Sequence, residues 1–131
     1  MTPTVATTCA DPVILDQWHP LLPLDEMTAD NVGHTILLGE QLSYQLDTDG
    51  APVVWLAADA DATALPVLVE YLYVWVCLGS PPEALFAIPE FAEPDRRNIH
   101  AGTIGVHVSA PRAIENFLDM GHFPYVHTDV L

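Results

Sequence analysis

The strongest constraint on the fold is the series of short apolar segments separated by turn residues over 35–56, which is typical of antiparallel β-strands. Residues 35–46 are predicted to form two short strands that bend at Gly39. In the second of these strands, apolar residues alternate with polar ones at Leu42, Tyr44 and Leu46. Residues 47–50, Asp-Thr-Asp-Gly, are typical turn residues, and residues 52–56 supply a returning strand. The segment therefore predicts antiparallel β structure.

The neighbouring segments extend this β unit from about residue 18 to residue 78. Residues 65–78 are rich in Val, Tyr, Leu and Trp and predict one long or two short buried strands. The short acidic stretch 57–64 is expected to be a surface connection. Ahead of the β unit, residues 1–17 are expected to form a loose tail, and residues 18–23 an apolar entry segment stiffened by two prolines.

A second structural unit is expected after a proline-rich crossing segment, residues 79–101. Residues 102–108 alternate again and predict a strand. Ser109 suits the N-cap of a helix that begins two residues later and runs to about Gly121. The predicted fold class is therefore α+β, with a small antiparallel β unit followed by the first strand and helix of a second unit over residues 102–131.

The charge of the chain is strongly negative. Its 131 residues include three Arg, no Lys and 18 acidic side chains, for a net charge of −15. Such a field repels nucleic acid and anionic membranes, so neither is an expected partner. A basic partner surface would suit this charge, although the charge can equally serve only to keep the chain in solution.

The cysteines and the absence of long apolar stretches indicate the compartment. No stretch reaches the roughly 20 apolar residues of a membrane span. The first eight residues have neither the basic nor the apolar region of a secretion signal. Cys9 and Cys77 lie in unrelated contexts and are expected to be free thiols. The reducing cytoplasm is therefore the expected location.

The side chains best suited to metal binding or catalysis lie between residues 115 and 127. On one helix, Glu115, Asp119 and His122 would share a face, whereas His127 would lie about 140° away from His122. Gly121, directly before His122, and Pro124, between the two histidines, disfavour a continuous helix and favour a turn that brings the histidines together. Two imidazoles and a carboxylate suit Fe(II), Zn(II) or a similar divalent metal. From spacing alone, the same residues are also compatible with an ordinary polar helix end.

The order of these residues, Glu-x3-Asp-x2-His-x4-His, resembles the mononuclear iron motif of Rieske-type non-haem iron oxygenase α subunits, the aromatic-ring-hydroxylating oxygenases. Upstream segments resemble the same family, and one of them, Ile88-Pro89-Glu90-Phe91, recurs in its demethylase branch. The others are Trp18-His19-Pro20, Leu37-Leu38-Gly39-Glu40 and Tyr73-Val74-Trp75-Val76. The resemblance extends over nearly the whole chain, from Trp18 to Leu131.

The resemblance implies a role for each matching residue. His122 and His127 would bind Fe(II), and a distant third carboxylate ligand of the family has no counterpart in this sequence. Asp119 would be the carboxylate that links the iron site to the Rieske centre of a neighbouring subunit. Asn116 would lie near the iron, and Glu115 would support the same subunit contact.

The chain also departs from the family at the iron–sulfur cluster. A Rieske centre needs Cys-x-His and Cys-x-x-His, and neither motif occurs in the sequence. Residues 57–64 occupy the place of the cluster loops, so residues 18–78 are interpreted as a Rieske-domain remnant that binds no [2Fe–2S] cluster. In this respect the chain is similar to the cluster-less N7-demethylase subunit of methylxanthine degradation. We therefore expect an incomplete Fe(II) site and a chain that is truncated relative to the family.

Two functional interpretations follow from this resemblance. In the first, the chain is a component of an oxygenase that hydroxylates or demethylates a small aromatic or heteroaromatic substrate with O₂. Its electrons would come from a Rieske or reductase partner, and a homologous or complementary subunit would complete a homo- or hetero-oligomer. In the second, the chain is a non-catalytic remnant or an interaction subunit that assembles with a full-length homologue. Activity of the isolated chain is not expected, because two imidazoles alone hold iron weakly.

Overall fold

The computed structural model describes residues 8–119, and the chain divides into two compact units, Met1–Ala101 and Gly102–Leu131. The described part of the first unit, residues 8–101, contains a one-turn helix α1 (Pro12–Leu15), six strands and two short 3₁₀ helices. The strands are β1 (His19–Pro23), β2 (Gly33–Leu37), β3 (Glu40–Leu46), β4 (Pro52–Leu56), β5 (Val67–Glu70) and β6 (Tyr73–Val76). The 3₁₀ helices are Leu24–Glu26 and Pro89–Ala92, and the described part of the second unit contains helix α2 (Ala110–Leu118).

The strands form two three-stranded antiparallel sheets, with the orders β2-β3-β4 and β1-β6-β5. The α+β class predicted from the sequence is therefore confirmed. Both sheets contribute buried apolar side chains to one core. Its buried members are Leu22, Met27, Leu42, Val54, Val74 and Val76.

The first sheet agrees closely with the pattern of the sequence. The predicted bend at Gly39 is the tight β2–β3 turn, in which Leu38 and Gly39 have φ angles of 51° and 86°. Between β3 and β4, Asp47 Oδ1 accepts hydrogen bonds from the backbone N–H groups of Asp49 and Ala51, both at 2.9 Å. The acidic turn residues thus close the predicted hairpin by satisfying its backbone donors.

Strand β1 occupies a segment that the sequence predicted only as a proline-stiffened entry. Proline cannot donate to a sheet ladder and is therefore confined to edge strands and irregular positions. Strand β1 meets both conditions, because it lies at the edge of its sheet and its register with β6 shifts between Pro20 and Leu22. The two prolines are therefore compatible with a strand here.

The stretch before β1 contains structure where the sequence suggested a loose tail. Asp11 caps α1 by accepting a hydrogen bond from Val13 N at 2.9 Å. Asp16 Oδ1 accepts one from Ser80 N at 2.7 Å. A methyl group on Gly79 would lie only 2.1 Å from the same Asp16 oxygen, so glycine permits this close approach. Residues 11–16 are thereby joined to the end of the β unit.

The crossing segment 79–101 is anchored by aromatic side chains. Tyr71 hydroxyl donates to Phe86 O at 2.6 Å and accepts from Ile88 N at 2.8 Å. Its ring stacks on Phe86 and meets the edge of Phe91, at centroid distances of 6.0 and 5.1 Å. Trp18 Nε1 donates to Pro82 O at 3.2 Å. These contacts fix an extended segment that has little regular secondary structure.

Replacing Tyr71 with Phe should lower the free energy of unfolding by about 1–2 kcal/mol, because it removes both hydrogen bonds while keeping the ring contacts. Urea unfolding of the two proteins measures the difference. Tyr73→Phe is the matched control, since the Tyr73 hydroxyl has no hydrogen-bond partner within residues 8–119. Equal stability of the Tyr71 variant and the parent would contradict the proposed anchoring.

In the second unit, the predicted strand over 102–108 is wrong for the structure as described. These residues are exposed and form no strand. A strand requires a neighbour for its backbone N–H and C=O groups, and no described residue pairs with this segment. Helix α2 has the predicted N-cap at Ser109, but it ends at Leu118 instead of about Gly121. Over residues 8–119, no helix is long and apolar enough to cross a membrane.

Candidate functional site

Helix α2 positions two of the four predicted site residues. Asn116 lies in its last turn and Asp119 is its C-cap, with a backbone that leaves the helical region. Asp119 N donates to Glu115 O at 3.1 Å and to Asn116 O at 3.3 Å. These bonds fix where the helix ends, so the side chains of Asn116 and Asp119 project from a defined helix terminus. The helix face predicted for Glu115, Asp119 and His122 therefore ends before Asp119.

Glu115 has a partner on the same helix. Arg112 Nη1 donates to Glu115 Oε2 at 2.9 Å, in an i, i+3 pair whose two side chains are largely exposed. Exposed pairs of this kind contribute about 0–1 kcal/mol to stability. The pair does neutralise one negative charge close to the helix end, next to the positions of Asn116 and Asp119.

The two predicted iron ligands, His122 and His127, lie outside the described residues. Their assignment as ligands stays a prediction, as do the roles of Asn116 and Asp119. Within residues 8–119 there is no group of three His, Cys, Asp or Glu side chains that could hold a metal ion. The donor set of the motif does fit Fe(II), because neutral imidazole is a common ligand for divalent iron.

Three of the other histidines have structural partners. His19 Nε2 donates to Ile14 O at 2.8 Å, and His34 Nδ1 shares a hydrogen bond of 3.0 Å with Ser43 Oγ across β2 and β3. His100 Nε2 donates to Asp25 Oδ2 at 3.3 Å. Each of these three side chains is therefore held by a contact within the first unit.

Residues 57–64, interpreted from the sequence as standing in place of the cluster loops, form an acidic turn. Residues 57–64 follow β4 and contain neither Cys nor His. Asp59 Oδ2 accepts a hydrogen bond from Thr63 N, and Asp59 Oδ1 accepts one from Asp61 N, both at 3.0 Å. The turn borders a cleft of about 530 Å³ that Gly39, Glu40, Gln41 and Leu56 also line. The turn supplies two carboxylates and a hydroxyl group, but no thiolate or imidazole that could bind a [2Fe–2S] cluster.

Hydrogen bonds from Thr63, backbone first and then side chain, and from the backbone of Asp61 lower the pKa of Asp59 below its usual value of 3.8. Since the folded-state pKa is the lower one, the turn is stabilised above the ordinary pKa of Asp and loses this stabilisation as the pH falls through the lowered pKa. The carboxyl resonance of Asp59, followed by NMR between pH 2 and 6, should titrate below the ordinary value. A midpoint at or above 3.8 would contradict the role of these bonds. Asp59→Asn removes the titrating group and serves as control.

Comparison with known proteins identifies the kinship of the chain. No protein-family model matches the sequence. Over 118 residues, which are 90% of this chain, it is 45% identical to the probable methylxanthine N7-demethylase NdmC of Pseudomonas sp. (strain TJI-51). The chain is related to the Rieske-type oxygenase family.

This relationship confirms the family resemblance that the sequence indicated. The aligned part of the chain spans 41% of the length of that relative. The activity of the whole relative, its substrate and its partners therefore belong to the protein named, and for the present chain they can only be proposed.

Proposed function

We propose that this chain is a component of a Rieske-type non-haem iron demethylase that removes an N-methyl group from a small heteroaromatic substrate of the methylxanthine class. The observation that carries the proposal is the 45% identity over 118 residues to a probable methylxanthine N7-demethylase. The order of Glu115, Asp119, His122 and His127 supports it independently, because the carboxylate and imidazole groups that an iron site needs occur there in the sequence.

In this proposal, His122 and His127 hold Fe(II), and the third ligand is a carboxylate supplied from outside residues 115–127. Iron held there would supply the activation of O₂ that hydroxylation of an N-methyl group needs, and the hydroxymethyl group would then be lost as formaldehyde. Asp119 orients a histidine ligand and couples the site to the electron donor through a hydrogen bond. Asn116, about one helical turn before Asp119, lies near the metal site, where its side-chain amide can form hydrogen bonds.

The electrons come from a separate protein that carries the Rieske centre or a reductase centre. Two features support this assignment: the Cys-x-His and Cys-x-x-His motifs do not occur in the sequence, and an acidic turn occupies residues 57–64. The net charge of −15 favours a donor with a basic docking surface. A cytoplasmic location suits the free thiols of Cys9 and Cys77 and stays a prediction.

The test is a reconstituted demethylation assay. The chain is mixed with Fe(II), a purified Rieske-type reductase, a homologous oxygenase subunit and 7-methylxanthine in air-saturated buffer. Formaldehyde should form in a one-to-one ratio with lost substrate only when the chain is present. The same mixture with His122→Ala in the chain should form none. Formaldehyde production that does not depend on the chain would refute its catalytic role.

The alternative function, an interaction subunit without catalysis, is favoured by one specific observation. Several large apolar side chains of the second unit are exposed, among them Ile104 at 86% and Phe117 at 78%. Exposed apolar surface of this kind is typical of a site that binds another protein. If this function is correct, the chain binds the homologous subunit and raises its activity, and His122→Ala has no effect on either. If the demethylase proposal is correct, the variant still assembles but the activity is lost.

A further inference from the structure

A cleft of about 490 Å³ lies beside the β5–β6 turn, and all of its lining residues belong to the first unit. Its apolar walls come from Leu24, Val69 and Leu72, and its polar groups from Asp25, Glu70 and His100. The volume is in the range of small-molecule sites, which are largely apolar with a few converging polar groups. No Arg or Lys side chain lines it.

The polar groups of the cleft are incompletely satisfied. His100 Nε2 donates to Asp25 Oδ2 at 3.3 Å, and the ring meets Tyr73 edge to face at 6.4 Å. His100 Nδ1 is buried and has no hydrogen-bond partner among the described residues. Buried polar atoms usually form a hydrogen bond, so the lack of a partner for this nitrogen requires an explanation. Asp25 itself is 71% exposed and keeps acceptor capacity toward the cleft.

The backbone beside the cleft is also unusual. Tyr71 and Leu72 form the β5–β6 turn with φ angles of 55° and 66°, although neither is Gly, Asn or Asp. A two-residue hairpin turn of this kind requires positive φ at both central residues, a conformation that is unfavourable for residues other than Gly, Asn and Asp. They are held here from both sides, since Leu24 N donates to Leu72 O at 2.9 Å and the Tyr71 hydroxyl is anchored in the crossing segment. The strained turn places the Leu72 side chain at the wall of the cleft.

We propose that this cleft binds a small organic ammonium ion, a ligand with an apolar body and one protonated amine. The apolar walls would accept the body, and the carboxylates of Asp25 and Glu70 would receive the charged N–H donors. An anionic ligand is disfavoured, because two carboxylates line the cleft in a chain of net charge −15. The site is distinct from the proposed iron site and goes beyond the proposed demethylase function.

The proposal is tested with the ¹⁵N-labelled full chain, without iron, by titration with benzylamine, benzyl alcohol and benzoate at pH 7. Benzylamine should shift the amide resonances of Leu72 and His100 in a saturable way, and benzyl alcohol should bind about tenfold more weakly. Benzoate should cause no shift. Equal affinities for the amine and the alcohol, or no saturable shift by benzylamine, would overturn the proposal.

Variants separate the charge of the cleft from its shape. Asp25→Asn should weaken benzylamine binding about tenfold, whereas Asp49→Asn, in the β3–β4 turn and not among the residues that line the cleft, should leave it unchanged. Leu72→Gly relieves the left-handed backbone, so it should raise the melting temperature while it weakens binding of both the amine and the alcohol. Unchanged binding in either cleft variant would contradict the assignment. None of these results depends on demethylase activity.

Discussion

Leu42→Ala should reduce the free energy of unfolding by about 3 kcal/mol, the largest stability effect that we expect in the chain. Leu42 is fully buried in β3, the central strand of the first sheet, and belongs to the core that both sheets share. Truncation removes transfer free energy and leaves a cavity between the sheets. A domain of this size has about 5–15 kcal/mol of stability, so the loss is a large fraction of the total.

The control for this variant is Ile36→Ala in the adjacent strand β2. Ile36 is 64% exposed, and its truncation should change stability by less than about 0.5 kcal/mol. Both variants are measured by urea unfolding, with the slope of free energy against urea compared to confirm similar unfolded states. Equal losses for Leu42 and Ile36 would mean that the core does not lie where the two sheets meet.

Replacing His122 and His127 together with Ala should abolish specific Fe(II) binding, a loss of at least about 100-fold in affinity. Two imidazoles are the principal donors that residues 115–127 offer to the metal, and the carboxylate of Asp119 does not replace them. The measurement is anaerobic calorimetry of the chain mixed with the homologous subunit. His107→Ala is the matched control, because His107 is an exposed histidine outside the motif. If the double variant keeps the parent affinity, the ligand assignment is wrong.

The parts of the fold that local patterns encode were predictable. The hairpin of β3 and β4 combines alternation of apolar and polar residues in β3 with Asp and Gly at the turn, so pattern and turn chemistry agree. The β5–β6 hairpin was predicted only as one possibility, because its turn residues, Tyr71 and Leu72, are not turn formers. Their conformation depends on hydrogen bonds to Leu24 and to the crossing segment, which no local pattern reveals.

One strand was missed and one was wrongly predicted, because both depend on distant partners. Strand β1 was not expected, since its prolines are tolerated only at the sheet edge that β6 provides. The strand expected over 102–108 has the right alternation but no described neighbour to pair with. Tertiary pairing, and not local propensity, decides both cases.

The candidate iron site and the cleft proposed to bind an ammonium ion also differ in how far the sequence alone could predict them. The motif of residues 115–127 is local in sequence, so its order alone indicated the family that the 45% identity then supported. Asp25 and His100 are 75 residues apart, and nothing in the sequence near either residue predicts that they meet. Only the folded chain shows a shared cleft there.

The most direct test of the proposed function is an anaerobic Fe(II) titration of the purified chain, first alone and then with the homologous oxygenase subunit. We expect weak binding by the chain alone and tight one-to-one binding in the mixture, lost when His122 and His127 are both Ala. No binding under either condition, or tight binding that survives the double substitution, would contradict the assignment of this chain to an iron-dependent demethylase.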